Sequence, residues 1–415
     1  MVRTDLPVYI EQDVIAEFTA YCRSHALDRF VLVADQNTHR ALGAAVETAL
    51  RAQGADVLTV MVEGEDIIAD ARHTFQVLLN IDRARRTYLG VGSGTLTDIA
   101  RFVSHRTASE FISLPTAPSV DGFTSIGAPM VIDGLKITVP CHGPLAVFAD
   151  LQVLMDAPRS LIAAGFGDML AKLTSVADWE LGYLLWDEKF DDVIARRSRD
   201  AAWACAQKVD AISAGSSDGI QALMEGLIES GFCMLDFGAT TPASGAEHHT
   251  SHYWEMKLLR EGRHSVLHGA KVGIAVVASL QRFDALRQIS RAEAAARLRL
   301  MHLPSREAEI GEIRAAYGPI TEQVIAQQRP FLDMTEGDFE QLKQKILACW
   351  DEIQGIAVQV PPAADMIRWL RSVGGPAYGV EVGLSPEEVA LGLKYAHYYR
   401  NRFTVGKLSR FLGVP

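Results

Sequence analysis

Histidine is spread unevenly along this chain. Five of its twelve histidines, His248, His249, His252, His264 and His268, fall within 21 residues. His248 and His252 are four apart in SGAEHHTSHYWE, so on a helix they share one face. On that helix His249 would point about 100° away from its neighbour, and it is set aside as a ligand. His268, in LHGAKVG, comes 20 residues after His248. A helix, a turn and the start of a second helix bring such positions together. Neutral imidazole is a common ligand for Zn²⁺, Ni²⁺ and Fe²⁺. Two imidazoles plus a carboxylate leave coordination positions open for a substrate oxygen, as a catalytic metal requires. The carboxylate candidate is Asp168 in GFGDMLAK, in an apolar setting where an unpaired charge is costly. The competing readings are a polar helix face for the histidines and a helix N-cap for Asp168. Glu247 and Glu255 read either as supports for the histidines or as surface groups.

A second group of residues suits a nucleotide. The glycine turn Gly90-Val91-Gly92-Ser93-Gly94-Thr95 follows a strand pattern and precedes a helix pattern. Glycines let backbone approach a pyrophosphate, and a helix N-terminus offers N–H donors. The turn is not a complete GxGxxG, because Thr97 occupies the third glycine position counted from Gly92. The loop from Leu114 to Ser125, LPTAPSVDGFTS, follows the next strand pattern. It is rich in hydroxyls that suit ribose or phosphate, and it carries one carboxylate, Asp121. Weaker features read as structural: Trp179 and Trp254 as core aromatics, Ile81 to Arg86 as a solvated turn, and Arg400 and Arg402 as surface groups that could reach a phosphate.

These residues need elements to hold them. Apolar runs at Phe30–Ala34, Val57–Val62, Thr87–Val91 and Phe111–Leu114 alternate with helical patterns, including one from about Thr38 to Gln53. Strand–helix alternation predicts βαβ units and a parallel sheet, which binds ligands at the carboxyl ends of its strands. After about Pro158 long amphipathic windows dominate: Ser160–Leu184, Glu188–Ala211, Ser217–Phe237 and stretches beyond Arg291. Gly269–Val277 reads either as a strand or as a buried helix. The expected architecture is an α/β, Rossmann-like domain over 1–157, then an all-α domain over 158–415, with the site in the cleft between them.

Composition limits the class of function. The 415 residues suit two domains, and 48% apolar with 22% charged residues is an ordinary globular balance. Lys plus Arg is 40 against 51 Asp plus Glu, a net charge of −11, which argues against a broad nucleic-acid face. The five cysteines are scattered and form no CxxC, which suits reduced thiols. No apolar run approaches the roughly 18 residues of a membrane span, and the N-terminus lacks a secretion-signal core. A cytoplasmic protein is expected.

The motifs GSGTLTD, LPTAPSVDGFTS, GFGDMLAKLTSVADWE and SGAEHHTSHYWE…LHGAKVG stand in that order. Together they resemble the sn-glycerol-1-phosphate dehydrogenases, especially the bacterial branch. That family sits in the superfamily of glycerol dehydrogenase, iron-containing alcohol dehydrogenases and dehydroquinate synthase. The resemblance implies that Asp168, His248 and His268 bind a divalent metal, Zn²⁺ foremost, with Ni²⁺ or Fe²⁺ as alternatives. It implies that Gly94, Thr95, Leu96, Thr97, Asp98, Thr116, Ala117, Pro118, Ser119 and Ser125 contact NAD(P)H, with Asp35 as a further contact. Asp121 and His252 would touch the substrate as catalytic groups, beside Asp168. The implied reaction is reduction of dihydroxyacetone phosphate to sn-glycerol 1-phosphate, in lipid biosynthesis, by a cytoplasmic homodimer. The alternatives are a glycerol-type polyol dehydrogenase, a sugar-phosphate cyclase of the dehydroquinate synthase type, and an inactive nucleotide- or metal-binding protein.

Overall fold

The computed structural model describes residues 6–132, 135–264 and 266–414. Eight strands are present among them: β1 (Val8–Glu11), β2 (Arg29–Ala34), β3 (Asp56–Met61), β4 (Thr87–Gly92), β5 (Phe111–Pro115), β6 (Gly127–Ile132), β7 (Leu135–Pro140) and β8 (Val147–Asp150). Six form one sheet in the order β1-β8-β5-β4-β2-β3, and every pairing in it is parallel. The four expected apolar runs are β2, β3, β4 and β5. β4 and β5 are buried along their whole length, as strands covered on both faces must be. Alternate side chains serve opposite layers. Phe30 and Leu32 pack with Leu89, Ile112 and Phe148, while Val31 and Val33 pack with Tyr88, Phe111, Ile99 and Val103.

The strand order reverses between β2 and β4. From β2 the chain steps outward to β3, then crosses back to β4 and continues to β5. The carboxyl ends of β2 and β4 therefore flank a crevice, the usual ligand position in an open parallel sheet. Asp35 ends one strand there and Ser93-Gly94 ends the other.

Four features differ from the expectation. β1 and β8 extend the main sheet beyond β5 and belong to none of the four expected apolar runs. The helix expected from Thr38 begins earlier, because the Asp35 carboxylate caps it by accepting from the N–H groups of Asn37 and Thr38. A π-helical turn at His39–Gly43 then precedes the helix Ala44–Ala52. β6 and β7 form an antiparallel hairpin outside the main sheet, which the sequence reading did not name.

The chain leaves β8 through a short helix, Leu151–Met155, and the next helix starts at Arg159. Beyond that point the described residues contain helices and no strand. Gly269–Val277 lies inside the helix His268–Arg287, which settles the strand-or-helix ambiguity. That helix crosses Arg159–Leu170 at backbone contact. A Cβ on Gly269 would stand 1.9 Å from the Ala164 carbonyl oxygen, and one on Gly167 would stand 2.7 Å from the Gly269 carbonyl oxygen. Only glycine permits so close a crossing. It brings residue 168 beside residue 268.

Candidate active site

The Asp168 helix, Arg159–Leu170, is buried and largely apolar from Ile162 on, and Asp168 is fully buried within it. An isolated carboxylate there would be strongly disfavoured. Two cations and an N–H group resolve this. Lys172 Nζ lies 3.0 Å from Asp168 Oδ1, His248 Nε2 lies 3.4 Å from the same oxygen, and the Asp121 N–H donates to Oδ2 at 3.2 Å. Burial alone would raise the Asp168 pKa, but Lys172 and the two histidines hold it well below the usual carboxylate range.

His248 and His252 stand on the helix Ala246–Arg260. Two buried carboxylates secure the start of that helix. Asp178 Oδ2 accepts from Ala246 N–H at 2.7 Å, and Glu247 Oε1 accepts from Gly245 N–H at 2.6 Å. Carboxylates at a helix N-terminus also answer its positive dipole end. Burial, with the neighbouring Glu247, pushes Asp178 up to about 7. Glu247 Oε1 lies 2.9 Å from His248 Nδ1. That bond would keep one ring proton on Nδ1 and leave Nε2 to a metal that displaces the second proton. Burial opposes a charge on His248, yet Asp168 and Glu247 together raise its pKa to about 9.

His268 starts its own helix. Among the described residues no group hydrogen-bonds its buried Nδ1, and burial beside Lys136 holds its pKa well below the ordinary value. A neutral imidazole of this kind is ready to ligate. Asp168, His248 and His268 each offer one ligand atom, and these atoms lie within 4.8 Å of one another. The donor set of two nitrogens and a carboxylate oxygen suits a divalent cation with open positions. The residues present therefore fit a metal. His252 stands beside the trio, its ring centroid 5.6 Å from that of His268, and burial lowers its pKa to about 4. His249 is buried, 5.9 Å from the Tyr399 ring, and among the described residues joins no cluster that could hold a metal.

A cavity of about 280 Å³ opens in front of the trio and is lined from both halves of the chain. His248, His252 and His268 form one wall. Gly94, Thr95, Thr97, Asp98, Ser119, Asp121 and Ser125 form the other. Ser93 precedes the helix Gly94–Arg106 without capping it by its side chain, so the first N–H groups remain available to an anion. Asp98 is paired with Arg101 at 3.0 Å, and burial raises its pKa to about 7.

A family model for iron-containing alcohol dehydrogenases matches residues 9–158. A glycerol-1-phosphate dehydrogenase [NAD(P)+] of Geobacillus thermodenitrificans is 36% identical over 402 residues, covering 96% of this chain and 90% of that protein. One from Bacillus subtilis is 35% identical, covering 96% and 91%. The chain belongs to the glycerol-1-phosphate dehydrogenase family. Among solved structures, a probable glycerol dehydrogenase from Sinorhizobium meliloti superposes with a TM-score of 0.61 at 16% identity, over 98% of this chain and 95% of that one. An iron-containing alcohol dehydrogenase from Corynebacterium glutamicum also gives 0.61, at 14% identity, over 99% and 95%. These share the fold.

Not every residue matched to the glycerol-1-phosphate dehydrogenase family faces the cavity. Leu96 is 3% exposed and packs beneath Gly92, so only its backbone is on offer. Thr116 and Ala117 are buried. The Pro118 carbonyl abuts Gly165, where a Cβ would come within 1.7 Å. These three residues set the path of the loop below Ser119. Asp35 stands apart from the cavity wall, at the crevice end of β2, and caps a helix. Arg402 and Arg86 correct the surface reading. Arg402 is mostly buried against Glu188, at 3.0 Å, and Arg86 is buried against Asp82 and Asp56.

Sequence reading missed two lysines. Lys172 is fully buried and spans Asp168 and Asp121, at 3.0 and 2.8 Å. Its four-residue spacing from Asp168 was the available signal. Lys136, on β7, lines the cavity from the hairpin.

Proposed function

We propose that this protein is a metal-dependent NAD(P)H oxidoreductase that reduces dihydroxyacetone phosphate to sn-glycerol 1-phosphate. One observation carries the reading: Asp168, His248 and His268 converge within 4.8 Å at a cavity whose opposite wall is the glycine turn of a parallel sheet. The names of the relatives supply the substrate. The same likeness supplies Zn²⁺, Ni²⁺ or Fe²⁺ as the ion, the cytoplasm as the place, and a homodimer as the form.

When bound, the divalent ion supplies a Lewis acid for a carbonyl oxygen and the nicotinamide supplies hydride. The chain's own residues do the rest. Lys172 and the Asp121 N–H hold the Asp168 carboxylate in one orientation, and Glu247 does the same for His248. Gly94, Thr95 and Leu96 would offer the first helix N–H groups to the pyrophosphate, and Ser119 and Ser125 would offer hydroxyls. Asp35, at the crevice end of β2, has one carboxylate oxygen left over from capping and would offer it to a ribose hydroxyl. Asp121 shows its carboxylate to the cavity while Ser230 and Lys172 fix it at 2.9 and 2.8 Å. His252 is uncharged at neutral pH, with Nδ1 3.6 Å from Glu255 Oε2. It can pass a ring proton to the reduced oxygen and recover one from water.

The test is reduction of dihydroxyacetone phosphate by NADH or NADPH with Zn²⁺, Ni²⁺ and Fe²⁺ in turn, followed by chiral analysis of the product. Loss of reduced-nicotinamide absorbance with the sn-1 product is expected. No turnover with any of these metals, alongside turnover of an unphosphorylated polyol, would replace the substrate assignment with the glycerol-type reading.

A further inference from the structure

The cavity holds a set of charges that neither hydride transfer nor the metal trio uses. Lys136 reaches from β7 across the cleft to Glu255 on the helix Ala246–Arg260, with Nζ 3.0 and 3.2 Å from the two carboxylate oxygens. Lys271, fully buried, approaches Glu255 Oε1 at 3.5 Å from beneath and donates to the Val266 carbonyl at 2.7 Å. Glu255 is thus held from two sides, and its carboxyl stays well below the ordinary carboxylate range under the pull of the two lysines and His252, despite its burial. Arg400 completes the set. Its guanidinium lies 4.6 Å from the centre of the Tyr399 ring, and Tyr399 stands 5.4 Å from the His252 ring. Among the described residues Arg400 forms no ion pair with a carboxylate.

Charge and position both point to an anion. Lys136 and Arg400 line the cavity against Glu255, whose charge Lys271 also offsets from within the helix pair, so this wall is net positive and suits an anion such as phosphate. Lys136, Glu255 and Arg400 all line the cavity, one imidazole ring beyond the trio, because His252 stands between His268 and Tyr399. A small molecule with its carbonyl at the trio would extend its other end here. Arginine presents a planar fork to phosphate and lysine a mobile point charge. Lys136 keeps one donor to spare while it holds both Glu255 oxygens, since an ammonium has three.

We propose that Lys136 and Arg400 form the subsite for the phosphate of the substrate, with Glu255 as the positioning residue that keeps Lys136 turned into the cavity. This rests on the function proposed above and adds the residues that select a phosphorylated substrate. Because Lys136 comes from the sheet half and Arg400 from the helical half, the phosphate draws on both sides of the cleft.

The test uses metal-loaded enzyme with the substitutions Lys136→Ala, Arg400→Ala and Lys136→Arg. Each alanine variant is expected to raise KM for dihydroxyacetone phosphate about tenfold or more, as loss of a charge-assisted phosphate contact does, while KM for NADH stays put. Inorganic phosphate should compete with substrate in the parent enzyme and lose that effect in the variants. Lys136→Arg should recover most of the KM. An unchanged KM, or equal inhibition by phosphate in parent and variants, overturns the subsite. A fall in kcat without change in KM, not rescued by arginine, overturns it too and marks a structural role. Arg400 is exposed, so its variant carries the test if Lys136→Ala does not fold. Parent enzyme that reduces no dihydroxyacetone phosphate fails the functional reading instead, which keeps the two outcomes apart.

Discussion

Four carboxylates, Asp168, Asp178, Glu247 and Glu255, are buried within or next to the helix pair that carries the histidines. Burying a carboxylate costs several kcal/mol unless its oxygens are satisfied, so each has been matched. Asp178 accepts two backbone N–H groups, from Ala246 at 2.7 Å and Val405 at 2.6 Å. Glu247 accepts from Gly245 N–H at 2.6 Å and from Thr174 Oγ1 at 2.9 Å, besides its bond with His248. The order that results is specific: His248 cannot turn its ring without losing the bond between its Nδ1 and Glu247 Oε1. Glu247→Gln should therefore weaken metal binding about 10- to 100-fold, because the amide still accepts a proton bond but lends less basicity to the ring. A competition titration against a chromophoric chelator measures this. Unchanged affinity would mean that helix packing alone orients the imidazole.

At the scale of elements, the ligand trio depends on how closely two helices cross. Gly167 and Gly269 let Arg159–Leu170 and His268–Arg287 meet at backbone distance. In Gly269→Ala the new methyl would strike the Ala164 carbonyl, 1.9 Å away, which is backbone and cannot swing aside. The helices must part, at a cost of about 1–3 kcal/mol for an overpacked interface. The expected result is a lower thermal midpoint together with weaker metal binding; a variant with normal affinity would show that the trio tolerates a wider crossing. This crossing explains what the sequence could and could not reveal. The histidine spacing, the apolar surroundings of Asp168 and the alternation of β2 to β5 are local patterns, and they were legible. The hairpin β6–β7 had weak signals: an Asp-Gly pair between the runs APMVI and LKITVP, with a proline inside the first. Missing the hairpin hid Lys136, whose partner Glu255 is 119 residues away. Arg402 read as surface for the same reason, since nothing near it in sequence announces Glu188. Leu96 and Thr116 to Pro118 matched the family's motifs, but position in a motif does not say whether a side chain faces the ligand or the core.

In the whole molecule the two halves share one apolar cluster, with Phe123, Val147 and Ala149 in it beside Phe166, Met169 and Phe232, and a few polar links add to it. The loop after β5 carries most of them. Asp121 joins Asp168, Lys172 and Ser230, and the Pro118 carbonyl rests on Gly165. The Lys136–Glu255 pair closes the other side. The proposed ligands then divide cleanly: the trio belongs to the helical half and the glycine turn to the sheet half. Any ligand that binds only the folded chain adds stability, about 2.7 kcal/mol at one hundred times its dissociation constant. Zn²⁺ and NADH should therefore each raise the thermal midpoint, and a chelator should remove the metal's share. His268→Ala separates them. It removes one of three metal ligands and leaves the Ser93–Asp98 turn untouched, so the metal-dependent rise should vanish while the NADH-dependent rise persists. Scanning calorimetry of the parent and variant, with and without each ligand, reads both shares. A variant that keeps the full rise with metal would take His268 out of the ligand set, and with it the convergence on which the chemistry depends.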